Sequence, residues 1–274
     1  MLYGNVTVAT QAQAAAANAR LNLVIGPASG SYTLNGTAEL APLSLGSAFA
    51  DSTIAPLAAQ TLFASIGADG SAPYELAGTN VTVGGQAVPV LYVSPSRISY
   101  YVPGDVPLGL VDVIVTSQNG FVSRGVTTIT PNVIQFMTTT DDPNGTALAL
   151  NDNNQTSGSF DVITPENFGS DKRTRVTIYA TGISGSANNW DPSNDVVVGG
   201  VVRKNFAESV TVIARLNGGA SIILPVKFAG TQGILPGLDQ VNIVLTSALA
   251  GAGPIELTIL VNGQRSNAPK IVVR

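Results

Sequence analysis

The amino-acid sequence predicts an all-β protein of two tandem β-sandwich domains, with an extra N-terminal strand and a short Ala-rich connector. Three observations predict this class. Apolar residues alternate with polar ones in short runs that end at Gly, Pro or Asn; helical periodicity is weak; and one series of strand-like segments occurs twice. Alternation with a period of two is typical of strands that bury one face. The 274 residues suffice for two domains that each bury a core.

The first predicted element is a strand at the N terminus, where Leu2, Val6 and Val8 alternate with polar residues. Residues 11–21 follow, and they are rich in Ala but carry little apolar stripe. This pattern indicates one short helix or a linker. We therefore assign residues 1–33 to an N-terminal strand and its connector.

Two immunoglobulin-like sandwich domains are predicted to follow, at residues 34–131 and 132–274. The clearest strand patterns lie at residues 81–83, 111–116, 175–179, 210–213 and 257–261. Turn dipeptides that favour positive φ separate such runs, namely Gly84-Gly85, Asn119-Gly120, Gly199-Gly200, Asn217-Gly218 and Asn262-Gly263. Both halves therefore predict a series of antiparallel hairpins.

An internal repeat supports the division into two domains. The first series comprises residues 81–83, 87–90, 97–102, 111–115 and 119–120, and the second comprises residues 210–212, 223–226, 240–245, 255–261 and 262–263. The second copy has extra residues near 230–237, which we expect to form a surface loop, because loop insertions cost little entropy. Residues 138–160 lack apolar periodicity before Phe160 and are predicted to form the interdomain region and exposed loops of the second domain.

Composition excludes several classes of function. The chain has no Cys and no His, so thiolate metal sites, disulfides and Ser-His-Asp triads cannot be built. Charged residues make up 11%, the net charge is −4, and no stretch concentrates Lys or Arg, which argues against a nucleic-acid partner. The longest apolar region, 241–261, contains Asn242, Glu256 and a Gly-Pro break, so it is not predicted to span a membrane.

Most of the chain from about residue 34 resembles the Solibacter-type C-terminal domain family of secreted bacterial proteins, which is abundant in Acidobacteria. The resemblance is carried by residues 59–67 (AQTLFASIG), 91–103 (LYVSPSRISYYVP), 179–183 (YATGI), 238–243 (LDQVNI) and 262–268 (NGQRSNA). It implies paired immunoglobulin-like folds and an extracellular or cell-surface location. No activity is established for the family, so the resemblance indicates the fold rather than a function.

This chain departs from the family pattern at two places. Ser96, Arg97 and Ser99 stand where Gly, Gln and Asn are usual, and Asp239 stands where an aromatic residue is common. A ligand recognised through those loops need not be shared with the family.

The N-terminal strand suggests a non-enzymatic structural protein that assembles with copies of itself. A strand on a tether can pair with an open sheet edge of a neighbouring subunit, and head-to-tail repetition gives a filament. In this hypothesis Leu2, Val6 and Val8 are inserted, and the strand with Tyr100 and Tyr101 is part of the receiving sheet. The alternative is that the N-terminal strand completes its own first sandwich.

An adhesive module that binds carbohydrate or protein is the second hypothesis. Trp190 and Asp191 lie in a polar loop that predicts a small platform for surface glycans, or a loop anchor folded onto the second sandwich. Carboxylate pairs such as Glu166 with Asp171, or Asp191 with Asp195, are the remaining candidates for hydrolysis. A single Trp argues against a long sugar-cleaving cleft. Since His and Cys are absent as well, we predict no catalytic residue, cofactor or metal site.

Clusters of acidic and amide residues near 141–144, 151–154 and 191–195 raise the question of calcium. Oxygen ligands of this kind bind calcium in loops, but none of the clusters has EF-hand spacing. Local Asx-turns are the preferred interpretation.

Overall fold

The structure is a computed structural model that describes residues 24–27, 39–50, 56–131, 133–140, 142–151, 158–167, 169–186, 190–198 and 200–274. Two β-sandwiches follow one another along the chain, and the predicted all-β class is confirmed. The helical elements among the described residues are one short α-helix, α1 (Ile183–Ser186), and 3₁₀ turns at Pro192–Asn194, Ala207–Ser209 and Ser247–Leu249. The predicted strand at Leu2, Val6 and Val8 and the Ala-rich stretch 11–21 lie outside the described residues.

The first domain consists of two sheets. Its front sheet has the order β1 (Val24–Pro27), β3 (Leu45–Phe49), β9 (Arg97–Tyr101), β8 (Val90–Val93) and β4 (Leu62–Phe63). Its back sheet has the order β2 (Glu39–Leu40), β11 (Val122–Ile129), β10 (Gly109–Thr116), β6 (Thr79–Val83) and β5 (Glu75–Leu76), with β7 (Gln86–Val88) also on β6. Strand β1 falls within the predicted connector and forms the edge of the front sheet.

The second domain repeats this plan. Its front sheet joins β12 (Gln135–Phe136) and β13 (Ala149–Asn151) to β15 (Arg175–Thr181), then β21 (Asp239–Val244) and β20 (Val226–Thr231). Its back sheet has the order β14 (Ser159–Phe160), β24 (Lys270–Val273), β22 (Gly253–Val261), β18 (Val210–Arg215) and β19 (Ser221–Leu224), with β23 (Gln264–Arg265) on β22. A separate two-stranded ribbon is formed by β16 (Val196–Val198) and β17 (Val201–Arg203).

The two domains share the same strand order at the centre of their sheets. Strands β3, β9 and β8 of the first front sheet correspond to β15, β21 and β20 of the second, and β6, β10 and β11 correspond to β18, β22 and β24. In both back sheets the last long strand pairs in parallel with a two-residue strand from the start of its domain. In both front sheets the same strand pair carries a bulge, after Val90 and after Val226. The internal repeat therefore corresponds to a repeated topology.

Alternating side chains fill the two cores, as the period-two pattern predicted. Val81, Val113 and Ile98 are buried in the first core, and Val241 and Ile259 are buried in the second. The predicted turns have the required backbone at several places; Asn262 and Gly263, for example, have φ of 48° and 81°. Such values suit the tight turn between β22 and β23.

The prediction that residues 138–160 form an interdomain region and exposed loops is wrong in part. Ala147 and Ala149 are fully buried in the second core, and β13 pairs with β15 across three residues. Leu148 and Leu150 follow these two alanines, so the segment lacks the alternation of apolar and polar residues that marks a half-buried strand.

The extra residues of the second copy do not form a free surface loop; they contribute to the contact between the domains. Leu235 and Leu238 pack with Leu45 and Leu91, which lie on the outer face of the first front sheet. Met137 packs in the same cluster. Leu45 and Leu91 are buried and Leu235 and Leu238 partly buried in this cluster, and removing apolar surface from water stabilises the docked arrangement.

Close backbone approaches fix how the domains meet. A Cβ on Gly185, in α1, would lie 2.2 Å from the carbonyl oxygen of Pro42. Nearby, the Leu45 N–H donates to Thr181 Oγ1 (2.8 Å), whose hydroxyl donates to the Gly237 carbonyl (2.8 Å). These contacts join a strand of the first domain to the end of β15 and to the inserted loop.

Replacing Gly185 by Ala is expected to separate the two domains. The added methyl group has no room against the Pro42 carbonyl, and overpacking of this kind costs about 1–3 kcal/mol. Thermal unfolding and limited proteolysis should show a lower Tm and faster cleavage near the junction. Gly104→Ala is the matched control, because its Cβ would meet only the flexible end of Leu43. Equal Tm values for the two variants would contradict the tight contact.

Candidate functional site

The junction leaves a groove between the first front sheet and the second domain. Leu45, Leu91 and Ser99 of the front sheet line it on one side, and Met137 and Leu235 of the second domain line it on the other. Its volume is about 360 Å³. Small-molecule sites commonly occur at domain interfaces and have volumes in this range.

A β-bulge gives the first front sheet two consecutive side chains on the groove side. Val90 pairs with Tyr100 and Tyr92 pairs with Ser99, so Leu91 is the extra residue. Val90 therefore points into the core, while Leu91 packs at the junction and Tyr92 lines the groove. A bulge that redirects side chains in this way is common next to functional sites.

Aromatic side chains form the outer rim of the groove. Phe63 on the edge strand β4 is 73% exposed, and its ring centroid lies 4.8 Å from that of Tyr92, at an interplanar angle of 52°. The Arg97 guanidinium lies 5.9 Å from the Tyr92 ring centroid and 5.5 Å from that of Phe49. Cation–π and ring contacts hold Tyr92 in place and leave Phe63 open to a ligand.

A short polar row runs beside the aromatic rim. Arg97 Nε donates to Ser99 Oγ (3.1 Å), and Ser99 Oγ and Ser47 Oγ share a hydrogen bond of 2.9 Å. The groove thus combines apolar rings with hydroxyl and guanidinium groups. No Asp or Glu is among the described residues that line it. Such a surface suits reversible binding of a ligand with both an apolar face and hydroxyl groups.

Tyr100 and Tyr101, predicted to be part of a receiving sheet, lie on β9. This strand has no free edge, since β3 and β8 pair with its two sides. Tyr100 is fully buried, and Tyr101 packs in the junction cluster. Open edges of that sheet are offered by β1 and β4. The receiving role of the sheet stays a prediction, as does the role of Leu2, Val6 and Val8.

Trp190 and Asp191 lie apart from the groove. Trp190 is 41% exposed, its Nε1 donates to Asp195 Oδ1 (2.8 Å), and the Lys204 ammonium lies 4.3 Å from its ring centroid. The cation therefore occupies one ring face. Asp191 Oδ1 accepts from the Ser193 N–H (2.9 Å), and such hydrogen bonds lower its pKa. The glycan role of this loop stays a prediction.

Two other carboxylates that we singled out, Asp171 and Asp142, make local contacts. Asp171 forms an ion pair with Arg173 (2.8 Å), whose hydrogen bonds hold the Asp171 pKa below its usual value. Asp142 Oδ1 accepts from the Asn144 N–H (2.9 Å), which is an Asx-turn. Within the described ranges no group of three or more acidic residues is placed to hold a metal ion.

One buried carboxylate lies directly behind the junction. Asp239 is 1% exposed and accepts hydrogen bonds from the Ile183 N–H (2.7 Å), the Ser184 N–H (3.2 Å) and the Ser184 hydroxyl (2.6 Å). Burial raises its pKa to about 6, although these hydrogen bonds oppose the rise. Burial and the nearby Asp239 also raise the pKa of Tyr101. Asp239 thus holds α1, which touches the first domain through Gly185.

Sequence reasoning missed the groove, although a signal was present. Residues 88–93 run Val-Pro-Val-Leu-Tyr-Val without a polar residue, so strict alternation fails there. Such a break in the pattern indicates a bulge or a strand covered on both faces. Phe63 carried no signal, because its exposure depends on how the second domain packs.

Comparisons with protein-family models and with curated proteins gave no match. Among solved structures, the chain is similar to SGBP-B of the Bacteroides ovatus mixed-linkage glucan utilization locus, solved with a mixed-linkage heptasaccharide (10% identity, TM-score 0.33, 91% of this chain and 46% of that one). It thus spans about half the length of that protein.

Two further likenesses are weaker. Bovine butyrophilin has 5% identity and a TM-score of 0.21, over 92% of this chain and 99% of its own. An auxiliary nutrient binding protein from Bacteroides ovatus has 10% identity and a TM-score of 0.22, over 92% and 70%. Likenesses of this strength carry no argument about the ligand of this chain.

The raised pKa of Asp239 predicts a pH dependence of stability. Because the folded-state pKa, about 6, exceeds the usual 3.8, the stability that this group contributes is fully present below pH 3.8 and is lost as the pH rises through about 6. Urea unfolding across this window should show the difference between wild type and Asp239→Asn changing with pH. Taking the difference between the two proteins at each pH cancels the contribution of all other carboxylates, because both proteins contain them. A difference that is constant with pH would contradict the burial of an ionisable group.

Proposed function

We propose that this chain is a non-enzymatic, extracellular or cell-surface binding module whose junction groove binds carbohydrate. The observation that carries this proposal is the exposed ring of Phe63, set against Tyr92 and beside the polar row of Arg97 and Ser99. The ring of a sugar presents an apolar face of C–H groups and a rim of hydroxyls. The groove offers a matching pair of surfaces.

The chemistry of the groove favours a sugar over a lipid. A lipid would need a deep apolar cavity, whereas Ser99 and Arg97 place polar groups on the groove wall. A peptide added as a strand to β4 is the competing occupant, because among the described strands β4 pairs only with β8. The binding test below distinguishes the peptide from the sugar.

Several observations support a non-enzymatic role at the cell exterior. The chain lacks His and Cys, and the groove-lining residues that the structure describes include no carboxylate to serve as acid or base. The family resemblance implies secretion. No helix in the described part of the chain has the length and apolar character needed to cross a membrane.

Replacing Phe63 by Ala is expected to weaken carbohydrate binding at least about tenfold, or about 1.4 kcal/mol, because an exposed stacking surface is lost. Native affinity electrophoresis against soluble neutral polysaccharides (mixed-linkage β-glucan, xyloglucan and galactomannan) and acidic ones (alginate and polygalacturonate) measures the effect. Since Phe63 is on the surface, the fold should be unchanged.

Two aromatic substitutions are controls for this experiment. Tyr74→Ala removes an aromatic side chain of the first domain that is 58% exposed, and it should leave binding unchanged. Trp190→Ala tests the loop predicted from the sequence. Binding lost with Trp190→Ala and kept with Phe63→Ala would place the site at that loop and contradict the groove. If none of the polysaccharides retards the protein, and the protein instead binds an extended peptide, strand addition to β4 is favoured.

A second candidate function is the self-assembling fibre subunit. The observation that favours it is the ribbon of β16 and β17, which pairs with none of the other described strands and exposes Val197, Val201 and Val202 by 61–68%. Unpaired strand edges with apolar side chains favour pairing between copies. The inserted strand would be residues 2–8, as the sequence predicts.

Removal of residues 1–19 is expected to abolish filaments if the N-terminal strand is donated to a neighbour. Negative-stain electron microscopy and size-exclusion chromatography of the full chain and the shortened chain measure this. Val202→Lys is a second variant, which places a charge on the ribbon without touching the terminus. Unchanged assembly of the shortened chain would eliminate strand donation.

A further inference from the structure

The polar row of the groove has a counterpart in the second front sheet. In the first domain, Ser47 on β3 and Arg97 on β9 both bond to Ser99. In the second, Thr177 Oγ1 and Gln240 Nε2 both donate to Asn242 Oδ1, at 3.1 Å each. Ser47 pairs with Ser99 across the strands just as Thr177 pairs with Asn242. We call Thr177, Gln240 and Asn242 the polar triad.

The polar triad presents unused hydrogen-bonding groups. Asn242 accepts both bonds through its carbonyl oxygen, and Gln240 donates through its amide nitrogen. The amide nitrogen of Asn242 and the carbonyl oxygen of Gln240 make no hydrogen bond to other described residues. All three side chains are half-buried rather than covered. The bonds within the triad therefore hold a donor and an acceptor in fixed positions at the surface.

The polar triad and the groove lie on one connected surface. Met137 lines the groove, and its N–H donates to the Tyr179 carbonyl on the neighbouring strand (2.8 Å). Tyr179 pairs with Gln240 on the next strand, so these side chains share the outer face. Strands lie about 4.8 Å apart, so β21 is roughly 10 Å from the strand that carries Met137. This distance exceeds the width of one sugar ring.

We propose that the site takes an internal stretch of a linear, neutral polysaccharide, which stacks on Phe63 in the groove and continues over Tyr179 onto the polar triad. This inference rests on the proposed function and names its substrate class. The triad consists of uncharged amide and hydroxyl groups, which match sugar hydroxyls. The one charged side chain among the described residues that line the groove, Arg97, is engaged by Ser99 and by the rings of Tyr92 and Phe49, which favours a neutral sugar over a uronic acid. A chain that crosses both domains also accounts for why the junction is fixed.

Isothermal titration calorimetry tests the proposal with the trisaccharide and the hexasaccharide of whichever neutral polysaccharide retards the protein. We expect the hexasaccharide to bind at least tenfold more tightly than the trisaccharide. The double variant Gln240→Ala/Asn242→Ala should remove that gain and leave trisaccharide binding unchanged. Gln264→Ala, an exposed amide on the back sheet, is the matched control and should change neither affinity.

The outcomes separate this inference from the proposed function. Loss of both affinities in Phe63→Ala, with the double variant identical to wild type, would overturn the extended site and leave the groove as a small-sugar site. Equal affinities for the two oligosaccharides would do the same. Preference for alginate or polygalacturonate would overturn the neutral substrate class. Binding of no polysaccharide would overturn both the inference and the proposed function. Thermal melts of each variant establish that the fold is intact.

Discussion

The structure depends on the packing of the second sandwich against the outer face of the first front sheet. Leu235, Leu238 and Met137 cover Leu45 and Leu91 there, on a sheet face that would otherwise be exposed to water. Removing this apolar face from water stabilises the docked arrangement of the two domains. The two domains can approach this closely because Gly185 has no side chain to clash with the Pro42 carbonyl. The groove exists because this contact covers only part of the face and leaves the ring of Phe63 outside it.

The two domains repeat one strand order but play different parts. Both front sheets have the bulge that turns two consecutive side chains outward, Leu91 and Tyr92 in one and Lys227 and Phe228 in the other. Tyr92 lines the groove, whereas Phe228 is 5% exposed. The aromatic side chain at the bulge is therefore accessible in the first domain and covered in the second. The second domain keeps the polar triad and adds the loop that closes the junction.

Much of the fold was predictable from the sequence because strands record their burial in a period of two. The paired Val81 and Val115, the turn at Asn262 and the repeated order of segments are all local signals. Ala147 and Ala149 were missed, since alanine marks a core weakly. The groove itself was not predictable, although the unbroken apolar run at residues 88–93 marks the bulge beside it. Phe63 and Arg97 are brought near each other by the pairing of β4, β8 and β9, and Met137 is added by the docking of the second domain.

Residual dipolar couplings measured on the full chain in solution test the fixed junction most directly. If the domains are held as described, the alignment tensors fitted separately to the two sandwiches have the same magnitude and orientation. Two tensors of different magnitude would mean that the domains move independently, and then neither a groove between them nor a binding surface that crosses both could exist as a preformed site.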